Sequence, residues 1–269
     1  MGERDQSPDY AYDNTWTRAR ERLRGLEDRF DSGTIRHLKA LGVTEGWSCL
    51  EIGAGGGTIA DWLCRTVGRS GRVLATDIDP RFVERLEHPN LETRRHDIAC
   101  DPLPENSFDL IHARMVLAHV PARDQALRQM AAALRPGGWL LCEEGDNISV
   151  TLVSPSDEAS IAVYRTVETA VATVMAGRGH AYDYGRGLLG ALRALGLVET
   201  AAEGRLLPRT AGSSADVARL TVEQLREEMI ASRLATETEV ARYLGLLTEP
   251  TFVALPLTLV AAWGRRPKL

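Results

Sequence analysis

The stretch Cys49-Leu50-Glu51-Ile52-Gly53-Ala54-Gly55-Gly56-Gly57-Thr58 constrains the fold more than any other part of the chain. An apolar run with one acid, followed by glycines at alternating positions, predicts a buried strand that opens through a glycine loop into a helix. Without Cβ atoms in the way, backbone there can approach a ligand closely. In an open α/β sheet such a loop, at the carboxyl end of a strand, is a nucleotide site. The dinucleotide pattern G-x-G-x-x-G needs a glycine at position 58, where this chain has Thr58, so pyrophosphate binding is disfavoured. An NAD-dependent oxidoreductase is the weaker reading.

Three further motifs follow in order. Val73-Leu74-Ala75-Thr76-Asp77-Ile78-Asp79-Pro80 predicts a second strand ending in an acid, where an α/β nucleotide site presents a carboxylate to ribose hydroxyls. His96-Asp97-Ile98 precedes Pro102-Leu103-Pro104-Glu105-Asn106-Ser107-Phe108-Asp109-Leu110-Ile111. Leu134-Arg135-Pro136-Gly137-Gly138-Trp139-Leu140-Leu141 then turns into a fifth strand by proline and glycine chemistry. With the E-x-G-x-G-x-G run, these segments over roughly residues 45 to 145 resemble the class I S-adenosylmethionine-dependent methyltransferases of the small-molecule type. The resemblance implies an α/β fold, a Rossmann-like doubly wound, mostly parallel sheet with a terminal antiparallel strand. It implies S-adenosyl-L-methionine as cofactor, met by Glu51, Gly53, Ala54, Gly55, Gly57, Asp77 and Ile78, with Asp97 and Ile98 at the adenine and Arg114 within reach at the end of the fourth strand.

Length and composition agree, since 269 residues with 44% hydrophobic content suffice for one α/β domain with an inserted cap. The net charge of −5 supplies no basic surface for nucleic acid. Arg18, Arg20, Arg22 and Arg24 cluster, but Glu21, Glu27 and Asp28 interleave with them, the pattern of a solvated helix face. Cys49, Cys64, Cys100 and Cys142 lack pairing or zinc-ligand spacing and are expected as reduced core residues. Asp77 with Asp79, and His96 beside Asp97, are already explained by nucleoside binding, so no metal is expected. No apolar window reaches the length of a membrane span and no apolar signal segment is seen, so a cytoplasmic protein is expected, with a homodimer the assembly to consider.

Organisation along the chain follows from periodicity. Trp16, Ala19, Leu23, Leu26 and Phe30 form one apolar stripe of a helix capped at Asn14 or Thr15, with Ser32 placed to cap a second helix. Residues 1–44 are expected as an N-terminal helical lid and residues 45–146 as the cofactor-binding core. Residues 147–180 form a helical cap insertion and 181–269 the rest of the core, with a helical insertion near 213–248. Strands are expected near 48–52, 72–76, 91–95, 108–113 and 138–143, and helices near 57–67, 80–87 and 122–134. Thr221-x-x-Gln224 and Thr236-x-x-Glu239 are capping-box patterns for two helix starts, and Pro250 and Pro256 predict a bulged or edge strand near the end.

Methyl transfer from a sulfonium is one in-line displacement, so few residues are needed beyond those that hold the nucleophile and remove a proton. His119, Glu144 and His180 are the candidates for that work, against structural readings of each. Tyr12, Trp16, Tyr182 and Tyr184 are the candidates for acceptor contact, with Tyr10, Tyr12 and Trp16 closing as the lid. The acceptor is expected to be a small molecule, a natural-product scaffold, with oxygen ahead of nitrogen and carbon. A SAM-binding cyclase or a ligand-sensing protein without methyl transfer is the competing class. Calorimetry on the purified chain should therefore show binding of S-adenosylmethionine or S-adenosylhomocysteine and none of NAD; NAD as sole ligand would overturn the assignment.

Overall fold

The computed structural model describes residues 16–147 and 150–268. Helix α1 runs Ala19–Ala40, then strand β1 Ser48–Ile52, helix α2 Thr58–Val67, and strands β2 Arg72–Asp77, β3 Leu91–Arg95 and β4 Phe108–Arg114. Helix α3 spans Arg123–Ala133 and strand β5 Leu134–Asp146. After β6 Thr151–Ser154 come α4 Glu158–Gly177, α5 Leu188–Ala194, β7 Val198–Leu206 and β8 Arg209–Thr210. Helices α6 Ser213–Ala231 and α7 Glu237–Leu246 precede β9 Val253–Leu255 and β10 Thr258–Arg265.

Seven strands form one sheet in the order β3-β2-β1-β4-β5-β10-β7. Pairings among the first five are parallel, and β10 is antiparallel to both β5 and β7. This is the α/β, doubly wound, mostly parallel sheet expected from the motifs. The order reverses between β1 and β4, and the carboxyl ends of those strands open the crevice where such a sheet binds ligands. The central strands are buried on both faces, which is why they read as continuous apolar runs rather than alternating ones.

Several local expectations are corrected. Ser32 lies inside α1, because the helix continues through it, and the N-cap is Arg18 with no side-chain cap bond; Asn14, Thr15, Tyr10 and Tyr12 lie outside the described residues. Residues 80–87 form only a short 3-10 turn, Val83–Arg85, with Val83 buried. Thr221 lies within α6, whereas Thr236 makes the complete box, with its hydroxyl accepting from Glu239 N and its own N–H donating to Glu239 Oε2 at 2.7 Å. Pro256 separates β9 from β10; β10 sits between two partners rather than at an edge, and of the two alternatives it shows the irregular one, its register with β7 shifting between Trp263 and Arg265. Cys49, Cys64 and Cys142 are buried free thiols, while Cys100 is exposed.

The segments expected as two separate insertions meet. Helices α4, α6 and α7 and the small sheet β6-β9-β8 share one apolar cluster, including Tyr164, Val171, Met229, Val240, Tyr243 and Phe252. The cap therefore has its own core, assembled from parts of the chain some fifty residues apart.

Beneath the sheet's ligand edge runs a buried polar chain. His112 on β4 shares Nδ1 with Glu51 of β1 at 2.7 Å and Nε2 with Glu143 of β5 at 3.3 Å. Glu143 accepts from the Thr34 hydroxyl of α1. Arg114 donates to Thr34 Oγ1 at 2.8 Å and pairs with Asp31 at 2.7 Å, so the second half of α1 is fastened to the sheet. Burial alone would depress the His112 pKa, but the two carboxylates outweigh it and raise it to about 9. A raised histidine stabilises fully below its unfolded value of about 6.5 and loses that contribution as pH rises through the folded value. The urea midpoint should therefore fall as pH rises through about 9, and His112→Gln should lower it at neutral pH while flattening that fall; an unchanged midpoint would remove the charge from His112.

Candidate active site

The glycine loop is shaped by backbone conformation. Gly53, Gly55 and Gly57 all have positive φ, at 66°, 53° and 92°. A Cβ on Gly53 would lie 2.3 Å from Val116 Cγ2, so the close approach of the loop after β4 requires glycine there. Gly57 caps α2 and packs near Leu86 and Val83, and Ala54 donates its N–H to Thr76 O at 3.0 Å, so these two shape the loop from behind.

Asp77 ends β2 with Oδ2 accepting from Gly55 N at 2.9 Å and Oδ1 from Asp79 N at 3.0 Å. Burial raises its pKa, opposed by those backbone bonds. A cleft of about 2010 Å³ runs from this edge to the cap, lined near Asp77 by Gly53, Gly55, Ile78, Asp97 and Ile98. Ile78 is 36% exposed and Ile98 is buried, which leaves apolar surface beside the carboxylates. This donor set fits a nucleoside: a carboxylate for vicinal hydroxyls, open backbone, and apolar surface for a base.

Glu51, expected at the cofactor, instead turns into the protein toward His112. Arg114 lines the cleft, but its guanidinium is committed to Thr34 and Asp31. Arg22, taken with its neighbours as a solvated face, is 4% exposed and lines the cleft beside Leu23 and Leu26 of α1. The charge alternation around it carried no sign of this, since burial of one arginine is decided by what packs on the helix. Arg18 and Arg20 are held by Glu21, Glu223 and Glu27.

His119 and His180 meet edge to face with ring centroids 4.3 Å apart, although 61 residues separate them, and His180 meets Tyr182 at 5.3 Å. All three line the cleft, as does Trp16. Burial, then the charges of His180 and Arg22, depresses the His119 pKa to about 3. Burial and Arg123 depress that of His180 to about 4. Both imidazoles are neutral at physiological pH.

Glu144 is fully buried. Its Oε1 accepts from Val116 N at 3.0 Å and Leu117 N at 2.7 Å, fixing the turn that carries His119. Burial pushes its pKa up to about 7. Tyr184 is not at the cleft: it packs on the core beside α5 with Arg123 over its ring at 5.3 Å. Among the described residues no cluster of potential metal ligands occurs.

Comparison with known proteins agrees with this geometry. Residues 50–142 match the family described as a methyltransferase domain. Residues 50–142 thus carry a methyltransferase domain of the S-adenosylmethionine-dependent kind. The cofactor of that domain type is S-adenosylmethionine. The chain is 37% identical over 135 residues to an uncharacterized 37.1 kDa protein in transposon TN4556 of Streptomyces fradiae, covering 48% of this chain and 39% of that one. It is 36% identical over 121 residues to the ubiquinone/menaquinone biosynthesis C-methyltransferase UbiE of Hahella chejuensis, covering 42% and 49%. The chain thus spans about half or less of these curated relatives. Its fold is similar to phosphoethanolamine N-methyltransferase 2 of Haemonchus contortus, at TM-score 0.61 and 15% identity over 97% of this chain and 60% of that one. It is also similar to the YcgJ protein of Bacillus subtilis, at TM-score 0.54 and 15% identity over 87% and 97%.

Asp77→Ala in this methyltransferase domain should weaken S-adenosylhomocysteine binding about tenfold or more, since charge-assisted hydrogen bonds contribute roughly 1.5–3 kcal/mol each. Gly53→Ala should weaken it too, through the Val116 overlap and the strained φ of 66°. Calorimetry showing unchanged affinity in Asp77→Ala would reject the ribose assignment.

Proposed function

We propose that the protein transfers the methyl group of S-adenosylmethionine to a small hydroxylated acceptor held between the sheet edge and the cap. The observation that carries this reading is one continuous cleft joining the Asp77 edge to the His119–His180 pair. Asp77 would hold the ribose, Ile78, Asp97 and Ile98 the adenine, and Arg22 the cofactor's carboxylate. The bound cofactor supplies an electrophilic methyl on a sulfonium, and the chain's own residues position the acceptor and take its proton. His119 and His180, neutral and part-exposed on the cleft, are the groups that accept that proton, and Glu144 is the positioning residue that holds the His119 turn. Trp16 and Tyr182, which line the cleft, face the acceptor.

The order oxygen, nitrogen, carbon expected from the sequence shifts in favour of carbon beside oxygen, because the curated relatives include proteins named as C-methyltransferases. Deprotonating a ring hydroxyl activates both atoms, so one base serves either outcome. The hydroxylated natural-product class and an intracellular setting are parts of this proposal; among the described residues no helix is long and apolar enough to cross a membrane.

With an active acceptor, His119→Ala or His180→Ala should lower turnover roughly 10²-fold with cofactor affinity retained. Glu144→Gln, which keeps an acceptor for Val116 and Leu117 N–H, should cost far less. The acid limb of the pH profile should lie near 4, where His180 protonates; a limb near 7 together with loss of activity in Glu144→Gln would make Glu144 the base instead. Failure of S-adenosylhomocysteine to form with any hydroxylated acceptor would favour the cyclase or sensor reading.

A further inference from the structure

The cap wall of the cleft is mostly apolar, with Val171, Met175, Ala218 and Val222 along α4 and α6. A charged cluster interrupts it. Glu168 Oε1 on α4 accepts from Arg209 Nη1 at 2.8 Å and from the Tyr243 hydroxyl at 2.5 Å. Arg209 Nη1 also donates to the Tyr164 hydroxyl at 3.1 Å. The parts come from α4, α7 and the two-residue strand β8, so three separate segments of chain converge on it.

A buried ion pair in an apolar core adds little to stability, because desolvating the two charges cancels most of their attraction. A cap held together by the surrounding Tyr164, Val171, Val240 and Phe252 cluster has no need of it for packing. The Arg209 and Glu168 side chains remain 13% and 19% exposed, and both line the cleft. An arginine has five N–H donors and a carboxylate has two oxygens, so a group entering from the cleft finds both a donor and an acceptor.

Charge balance selects the kind of group. Arg209 is offset by Glu168, Arg178 on the same wall pairs with Glu228, and Arg29, the further cation that acts on Arg209, is engaged by the Leu207 and Pro208 carbonyls. A charged ligand group would lack a counter-charge in this low-dielectric setting, whereas a hydroxyl or carbonyl would meet matched hydrogen bonds. Distance selects the size. Glu168 lies seven residues before Met175, whose carbonyl receives the N–H of His180 at 3.1 Å. Seven residues of α-helix span about 10 Å, so a molecule reaching from the imidazole pair to Glu168 is about three rings long.

We propose that Glu168, Arg209 and Tyr243 form a specificity site for an uncharged hydroxyl or carbonyl at the end of a two- or three-ring acceptor opposite its methylated end. This deepens the methyl-transfer reading and rests on it.

The test uses the full chain, with and without S-adenosylhomocysteine, and three flavone probes that share one body. One carries hydroxyls at opposite ends, one lacks the far hydroxyl, and one has a carboxylate in its place. Calorimetry should give the dihydroxyflavone about tenfold tighter binding than either analogue, the scale of one or two well-formed hydrogen bonds. Tyr243→Phe should erase that preference while melting temperature and S-adenosylhomocysteine affinity stay near wild type; Glu168→Gln should erase it as well, with a lower melting temperature because Arg209 loses its counter-charge. Equal binding of the three probes, tightest binding of the carboxylate, no binding of any, or a preference that survives in Tyr243→Phe overturns the site. If the preference holds but no methylated product or S-adenosylhomocysteine forms, the methyl-transfer reading falls and the binding site stands.

Discussion

The Glu51–His112–Glu143 chain joins three adjacent strands at the depth where the ligand crevice begins, and the geometry above it depends on it. His112 accommodates a carboxylate on each side only if it is charged, which is why its pKa is held up despite complete burial. Glu143 is in turn held below the usual carboxylate range, because the bonds and charges of His112, Arg114 and Thr34 outweigh its burial. Removing one member would strand the others in a dry interior, so the three strands and α1 are coupled through it. That coupling sets where α1 lies, and α1 brings Arg22, Leu23 and Leu26 to the cleft.

The adjacent glutamates Glu143 and Glu144 point to opposite faces of β5, as neighbours on a strand must. Glu143 joins the charged chain toward α1, while Glu144 reaches the other way to two backbone N–H groups of the turn after β4. One strand end therefore anchors the helix on one face and shapes the site on the other. The imidazoles beyond that turn are kept neutral by burial and by the neighbouring cations Arg22 and Arg123.

The sheet-edge half of the cleft was legible because its physics is local. Glycine conformations, a strand-ending acid and a proline-glycine turn are properties of a few consecutive residues, so Gly53, Gly55, Asp77, Ile78, Asp97 and Ile98 could be placed at the cleft from spacing and resemblance. Glu51 sits in the same motif yet faces inward, because its partner His112 comes from a strand some sixty residues later. Arg22 was hidden for the same kind of reason, since an alternating charge pattern describes a helix face without saying what covers it. His119, His180 and Tyr182 could be named as polar residues near strand and cap ends, whereas Tyr184, two residues further on, packs into the core beside α5.

By itself the sequence determined the sheet, the glycine loop and the carboxylate edge, because period, turn chemistry and burial of apolar runs act over short distances. Only the tertiary structure decided that the two helical insertions share one core, that His119 and His180 stand ring against ring, and that Glu168, Arg209 and Tyr243 converge on one wall. Those arrangements are set by packing between segments far apart in the chain, and contact energies of that kind leave no periodic mark on the residues that make them.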